Sequence, residues 1–180
     1  MPAKLTYHVA ITLDGRIAHP DGSYDGFLDT GDHVDLFTEA IQSYAGVLMG
    51  RKTYDLGLQA GLPLGQPAYP GRPNYVFSRT LDAPKQPSPE FELVRGDAVE
   101  RVLGLKSQTS GTLWLCGGGV LAGALMEAGL VDELLLKVNP RLFGEGRPLA
   151  DGLTRRHDFE LENVHPHTSG VVLLRYRRSL

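Results

Sequence analysis

LWLCGGGVLAGALMEAGLVDELLL, residues 113 to 136, joins three signals in one run and sets how the rest of the chain is read. Leu113 to Cys116 is short, apolar and bounded by glycine, the pattern of a buried strand. Gly117, Gly118 and Gly119 follow. Val120, Leu121, Ala124, Leu125 and Ala128 then recur at three- and four-residue spacing, the period of a helix that Gly129 closes as its C′ residue. Strand, glycine turn and helix together make an anion site. Without Cβ atoms a ligand approaches the backbone closely, and the unpaired N–H groups of the helix start point at it with the positive end of the macrodipole behind them. The competing reading is that the glycines only let a helix fold back on its sheet. Three consecutive residues that each weaken the elements they join are more than such a turn requires, and the pattern reads as a phosphate cradle. It is not GxGxxG, and no acidic residue stands at the expected place in a following strand, so the motif leaves the identity of the phosphate open.

Working outward, 180 residues with 42% hydrophobic and 22% charged side chains fit one soluble domain, residues 1 to 180, with a sizeable core. A net charge of -3 argues against a nucleic-acid partner held by general phosphate neutralisation. The one cysteine, Cys116, excludes an internal disulfide and a cysteine metal cluster. Its place at the end of an apolar strand predicts a shielded thiol. MPAKLTYHV lacks the apolar core of a signal peptide and no run is long enough to span a bilayer, so the expected location is cytoplasmic, with no membrane partner.

Upstream, Leu5, Tyr7, Val9 and Ile11 alternate with Lys4, Thr6, His8 and Ala10 as in a strand. Residues 13 to 31 are rich in glycine and aspartate without a period, a long loop and candidate lid. Thr30 or Asp32 can cap the next helix, in which Val34, Phe37, Ile41 and Tyr44 share a face while Asp32 and Asp35 fall in the first turn. Gly46 to Met49 is a second buried strand, and Gly50 opens a helix carrying Arg51, Lys52 and Thr53. Two cations at a helix N-terminus oppose the macrodipole, which points to a compensating anion; the alternative is two solvated side chains. A nucleoside-triphosphatase loop is excluded, because Arg51 stands where a second loop glycine belongs.

Residues 57 to 72 are a proline- and glycine-rich connection. Asn74 to Phe77 and Phe91 to Val94 read as strands, and Asp97 caps a helix with Val99, Val102 and Leu103. Such alternation predicts an α/β fold with a predominantly parallel sheet covered on both faces. Beyond the central stretch, Glu133 to Val138 is a strand and NPRLFGEGRPL a glycine-rich loop. Phe159 to Val164 and Val171 to Tyr176 form an antiparallel hairpin around Thr168, Ser169 and Gly170. His165 and His167 fall at its exposed end and make no metal site, and His8 is a core or cleft residue. No nucleophile elbow is present, which argues against a hydrolase.

Taken together, AITLDGRIA at 10 to 18, VLMGRKTY at 47 to 54, NYVFSRT at 74 to 80, the central stretch and NPRLFGEGRPL resemble the dihydrofolate reductase superfamily over nearly the whole chain, and most closely its single-domain members related to the riboflavin-biosynthesis reductase domain. The resemblance implies a dihydrofolate reductase-like fold and NADPH as cofactor. It places Ala10 and Ile17 near the nicotinamide and Gly117, Gly118 and Gly119 at the pyrophosphate. Gly50, Arg51, Lys52, Thr53, Ser78 and Arg79 would surround the adenosine end and its 2′-phosphate. Asp35 falls near the helix carboxylate with which dihydrofolate reductases hold the pterin, with Asp32 as the alternative; a first-turn aspartate that only stabilises the helix is the competing role. The implied activity is hydride transfer to a pyrimidine ribosylamine or pterin-like heterocycle, of the 5-amino-6-(5-phosphoribosylamino)uracil reductase type, against dihydrofolate reduction or a silent NADPH-binding module. A homodimer is implied by the same relatives. Cys116 stands where many riboflavin-type reductases carry an acidic residue, and Ala122 where dihydrofolate reductases carry an aromatic one.

Overall fold

The computed structural model describes residues 2 to 179. In chain order the elements are β1 (Lys4–Thr12), β2 (Arg16–Ala18), α1 (Asp32–Gln42), β3 (Gly46–Gly50), α2 (Arg51–Gln59), β4 (Asn74–Phe77), β5 (Phe91–Val94), α3 (Ala98–Gln108), β6 (Thr112–Gly117), α4 (Gly119–Glu127), β7 (Glu133–Asn139), β8 (Arg147–Pro148), β9 (Phe159–Pro166) and β10 (Val172–Arg178). Eight strands form one sheet in the order β5-β4-β3-β6-β1-β7-β10-β9. The pairings from β5 to β7 are parallel, and β10 joins β7 and β9 antiparallel. This is the α/β, dihydrofolate reductase-like architecture with its C-terminal hairpin.

Two cores separate the layers. On one face Leu5, Tyr7, Leu113 and Leu115 pack with Val102 and Leu105 of α3 and Leu121 and Leu125 of α4. On the other, Val47, Met49, Val76 and Trp114 pack with Tyr54 of α2 and with Phe37 and Ile41 of α1. Each such aliphatic or aromatic side chain contributes roughly 1.5–3 kcal/mol on burial, so the sheet is held from both sides. No helix of the described residues is long and apolar enough to cross a membrane.

The polar residues of β1 are buried: Thr6, His8 and Thr12 are 2%, 2% and 1% exposed, because β1 lies between β6 and β7 in the middle of the covered sheet, which agrees with the reading of His8 as a core or cleft residue. The N-cap of α1 is Gly31, with no side-chain cap; Asp32 instead accepts from Thr168 N (3.1 Å) and lies 3.3 Å from Nδ1 of His167. That contact buries His167, while His165 stays exposed as expected. Asp97 caps α3 by accepting from Glu100 N (3.0 Å), and Gly129 follows α4 at φ 68°, both as predicted.

Residues 13 to 31 are not a free lid. Their start forms β2, which pairs antiparallel with β8 of the later glycine-rich loop. The Asp14 carboxylate clamps both loops by accepting from Thr12 Oγ1 (2.5 Å), Phe143 N (3.2 Å) and Gly144 N (2.8 Å). The Thr12 hydroxyl foremost, with the two amides, lowers its pKa to about 2 against a desolvation cost. Leu28 N donates to Asn139 Oδ1 (2.9 Å), and His19 stacks on Phe143 with centroids 3.9 Å apart.

Candidate active site

The C-terminal ends of β4, β3 and β6 lie side by side, and register pairs Gly50↔Phe77 and Met49↔Gly117 bring together the residues that follow them. Those residues are Arg51 to Thr53, Ser78 and Arg79, and Gly118 with Gly119. The helices leaving β3 and β6 pack on opposite faces, the arrangement that opens a crevice at a topological switch point. The N-termini of α2 and α4 meet there: a Cβ on Gly50 would stand 3.6 Å from Gly118 N. Cβ atoms on Gly117 and Gly118 would meet only Thr53 Oγ1, at 3.4 and 3.6 Å. Gly117 has φ 146°, and the Gly117–Gly118 peptide is cis. Two helix starts, a hydroxyl and a stretch of bare backbone thus face one space, which is what an anion requires.

The three glycines divide their work. A Cβ on Gly119 would overlap the Pro148 carbonyl oxygen, and one on Gly123 would overlap that of Asp151. Asp151 N also donates to Gly119 O (3.0 Å). Gly119 therefore seats the segment after β8 against α4, which is the packing role, while Gly117 and Gly118 keep the open side. Packing accounts for Gly119, whereas Gly117 and Gly118 have no such packing partner.

Of the predicted cations, Arg51 Nε donates to Asp55 Oδ1 one turn along α2 (2.6 Å), which offsets its charge at the helix start. Lys52 and Arg79 are exposed, and among the described residues neither side chain has an ion-pair partner. Ser78 is buried, and its Oγ accepts from Thr80 N (3.2 Å) and Leu81 N (2.9 Å), so it shapes the turn that carries Arg79.

Further along the same edge Ala10 pairs with Lys137 of β7, and Ile17 in β2 packs on the core beneath the clamped loops. Phe37 of α1 lies over this part of the sheet, 5.0 Å from the His8 ring and 5.8 Å from Trp114 between centroids. Asp35 is exposed and two residues from Phe37, hence on another side of the helix. The expectation that Asp35 meets a substrate in the cleft is not supported by this orientation; Asp32 is taken up by His167 and Thr168. Lys137 is the ionisable residue that sequence reasoning passed over. Its signal was a single charge inside the apolar strand ELLLKVN.

Cys116 holds a shielded thiol, as expected, 3.7 Å from Tyr69 Oη; burial pushes it up to about 11. His8 Nδ1 lies 3.0 Å from Tyr44 Oη, and burial, aided by the Lys137 and Arg175 charges, lowers its pKa to about 3. It is neutral at physiological pH.

The family model for the RibD C-terminal domain matches residues 3 to 173. YyaP of Bacillus subtilis (strain 168), an uncharacterised protein, is 29% identical over 182 residues, covering 96% of this chain and 94% of its own. A crystal structure from Shewanella sp. PV-4, of a protein assigned to riboflavin biosynthesis, superposes with TM-score 0.80 at 24% identity over 100% of both chains. Dihydrofolate reductase from Enterococcus faecalis, complexed with NADP(H) and RAB-propyl, superposes with TM-score 0.68 at 20% identity over 98% of this chain and 97% of that one. At these identities the structures share the fold.

Proposed function

The chain belongs to the RibD C-terminal domain family, and on that premise we propose that it is an NADPH-dependent reductase that transfers a hydride to a pyrimidine ribosylamine, of the 5-amino-6-(5-phosphoribosylamino)uracil reductase type. The observation that carries the proposal is the meeting of two helix N-termini at Gly50 and Gly118, with side-chain-free backbone between them. That cradle suits a pyrophosphate. Lys52 and Arg79 at the adjoining strand ends suit the further phosphate that distinguishes NADPH, with Arg51 available if it exchanges Asp55 for the ligand.

In this reading the amides of the first turn of α4 bind the pyrophosphate, Thr53 donates its hydroxyl to it, and Ala10 leaves room for the nicotinamide beside β1. When bound, the cofactor supplies the hydride. The loops clamped by Asp14 exclude water from the cleft, and Ile17 anchors β2 on the core beneath them. Reduction of dihydrofolate is the neighbouring alternative within the same chemistry. A catalytically silent NADPH-binding module is the second reading, favoured by the exposed position of Asp35.

Titration calorimetry with NADPH and NADH, followed by a turnover screen with a ribosylaminopyrimidine phosphate and dihydrofolate, tests all three. The proposal expects NADPH to bind more tightly than NADH and to be oxidised with the ribosylaminopyrimidine. Binding without oxidation in either mixture selects the module. A homodimer and a cytoplasmic location belong to the same proposal. The homodimer has one further support, the outermost strand β9, whose Leu161 and Val164 are 55% and 49% exposed.

A further inference from the structure

On the α1 side of the sheet, three adjacent strands present a polar wall. β1 carries His8 and Ala10, β6 carries Cys116, and β7 carries Lys137, with Ala10 and Lys137 in register. The Lys137 ammonium stands 3.4 Å from the centroid of the Phe37 ring. Among the described residues it has no hydrogen-bond acceptor and no anion. An ammonium carries three donors, and an aromatic face satisfies none of them as an oxygen would.

The groups around it supply no negative charge. His8 is neutral, with Nδ1 engaged by Tyr44, and the residue is 2% exposed while Nε2 has no partner. The Cys116 thiol stays protonated to about 11, and burial raises the Tyr44 phenol above its ordinary range. The phenol of Tyr69, facing the thiol from the connection after α2, is raised as well, first by Cys116 and then by burial. Arg175 on β10 is a second cation. The one carboxylate on this side of β7, Glu133, is committed to Lys4 (2.7 Å) and Arg175 (3.2 Å). Burial lowers the Lys137 pKa to about 8, the behaviour of a cation lacking compensation.

We infer that Lys137, over the same Phe37 ring that the His8 ring meets edge-on, is the residue that reads the acceptor edge of the substrate: it holds a carbonyl or enolate oxygen of the uracil-type ring, and it rejects a heterocycle presenting an amino-rich edge, such as a 2,4-diaminopyrimidine. The inference rests on the reductase reading for the uracil-type ring and for placing it beside Ala10. Its physical basis is discrimination by unmet polar groups: an oxygen on Lys137 satisfies a half-buried donor, whereas an amino group there leaves two donors facing each other without water. A site that grips amino groups needs a carboxylate, and the described residues place none free on this wall.

The test is binding of uracil and of 2,4-diaminopyrimidine, followed by ligand-observed NMR with and without NADPH, in the wild type, Lys137→Met and Lys137→Arg, with circular dichroism to confirm folding. The wild type is expected to hold uracil at least tenfold more tightly than 2,4-diaminopyrimidine. Lys137→Met should lose that preference, Lys137→Arg should retain part of it, and NADPH affinity should be unchanged in both. Equal or tighter binding of 2,4-diaminopyrimidine, binding of neither probe, or an undiminished preference in folded Lys137→Met overturns the inference. Should Lys137→Met not fold, 13C NMR of labelled lysine in the wild type decides: uracil must raise the Lys137 titration midpoint, and an unmoved midpoint overturns the inference. Failure to bind NADPH with the uracil preference intact counts against the reductase reading alone.

Discussion

A methyl group added at position 118 and one added at position 123 should have opposite consequences, although both residues are glycines of one motif. Gly118 has φ −99°, and its nearest neighbour to a Cβ is Thr53 Oγ1 at 3.6 Å, so Gly118→Ala should stay folded, within about 1 kcal/mol of wild type. The methyl would project into the space assigned to the pyrophosphate, and NADPH affinity in calorimetry should fall at least tenfold; unchanged affinity would leave the glycines with packing alone. Gly123→Ala meets the Asp151 carbonyl and should lose about 1–3 kcal/mol or more in urea denaturation. Arg51→Ala should weaken NADPH more than NADH, by about 10- to 100-fold if a charge-assisted contact of roughly 1.5–3 kcal/mol is lost. Equal loss for both cofactors would confine Arg51 to its pairing with Asp55. Asp35→Asn should leave NADPH affinity and turnover near wild type, given its exposed side of α1. A drop of about 10²-fold, the scale of general acid–base catalysis, would return that carboxylate to the chemistry. Asp35 shows the limit of reading a sequence here: a first-turn aspartate is visible, but which way it faces depends on how the helix lies on the sheet.

Elements with a strong period or a firm boundary were legible. Asn74–Phe77 and Phe91–Val94 fall where glycine, proline and β-formers set them, and the α3 cap follows from Asp97. β2 and β8 were not, because three and two residues carry no period and their pairing joins loops some 130 positions apart. Alternation in β1 marks a strand but not its surroundings, for a related reason: buried polar side chains such as Thr6 and Thr12 look the same in a sequence as exposed ones. The Asp14 clamp gives the element scale its own prediction. Asp14→Ala should raise amide hydrogen exchange at Phe143 and Gly144 and loosen β2 from β8 without opening the main sheet. Unchanged exchange at those amides would show that the β2–β8 ladder holds the loops without the carboxylate.

For the whole molecule, acid should be destabilising from near neutrality downward. The folded pKa of His8 is lowered to about 3, below its unfolded value of 6.5, so the unfolded chain binds the extra proton between those limits and stability falls as pH falls. Asp14, Asp32 and Glu127, each lowered to about 2, add to the loss only as pH drops below the ordinary carboxylate range. Between pH 6.5 and 4.5 the contribution of His8 is thus separable, at up to about 1.4 kcal/mol per pH unit. His8→Leu should flatten urea midpoints over that window, and an unchanged slope would assign it elsewhere.

The position of β1 between β6 and β7 bears on how the polypeptide is made. Neither neighbour exists when β1 leaves the ribosome, and the second is complete only when Asn139 has been added, 127 residues after Thr12. At roughly 5–20 residues per second that interval is about 6 to 25 s. Until Gly117 completes β6 the strand has neither lateral partner, and until Asn139 it still lacks one, a period in which nascent-chain chaperones have the most to shield. Nascent chains arrested before Asn139 emerges should accordingly be protease-sensitive throughout β1, whatever helices they have already formed.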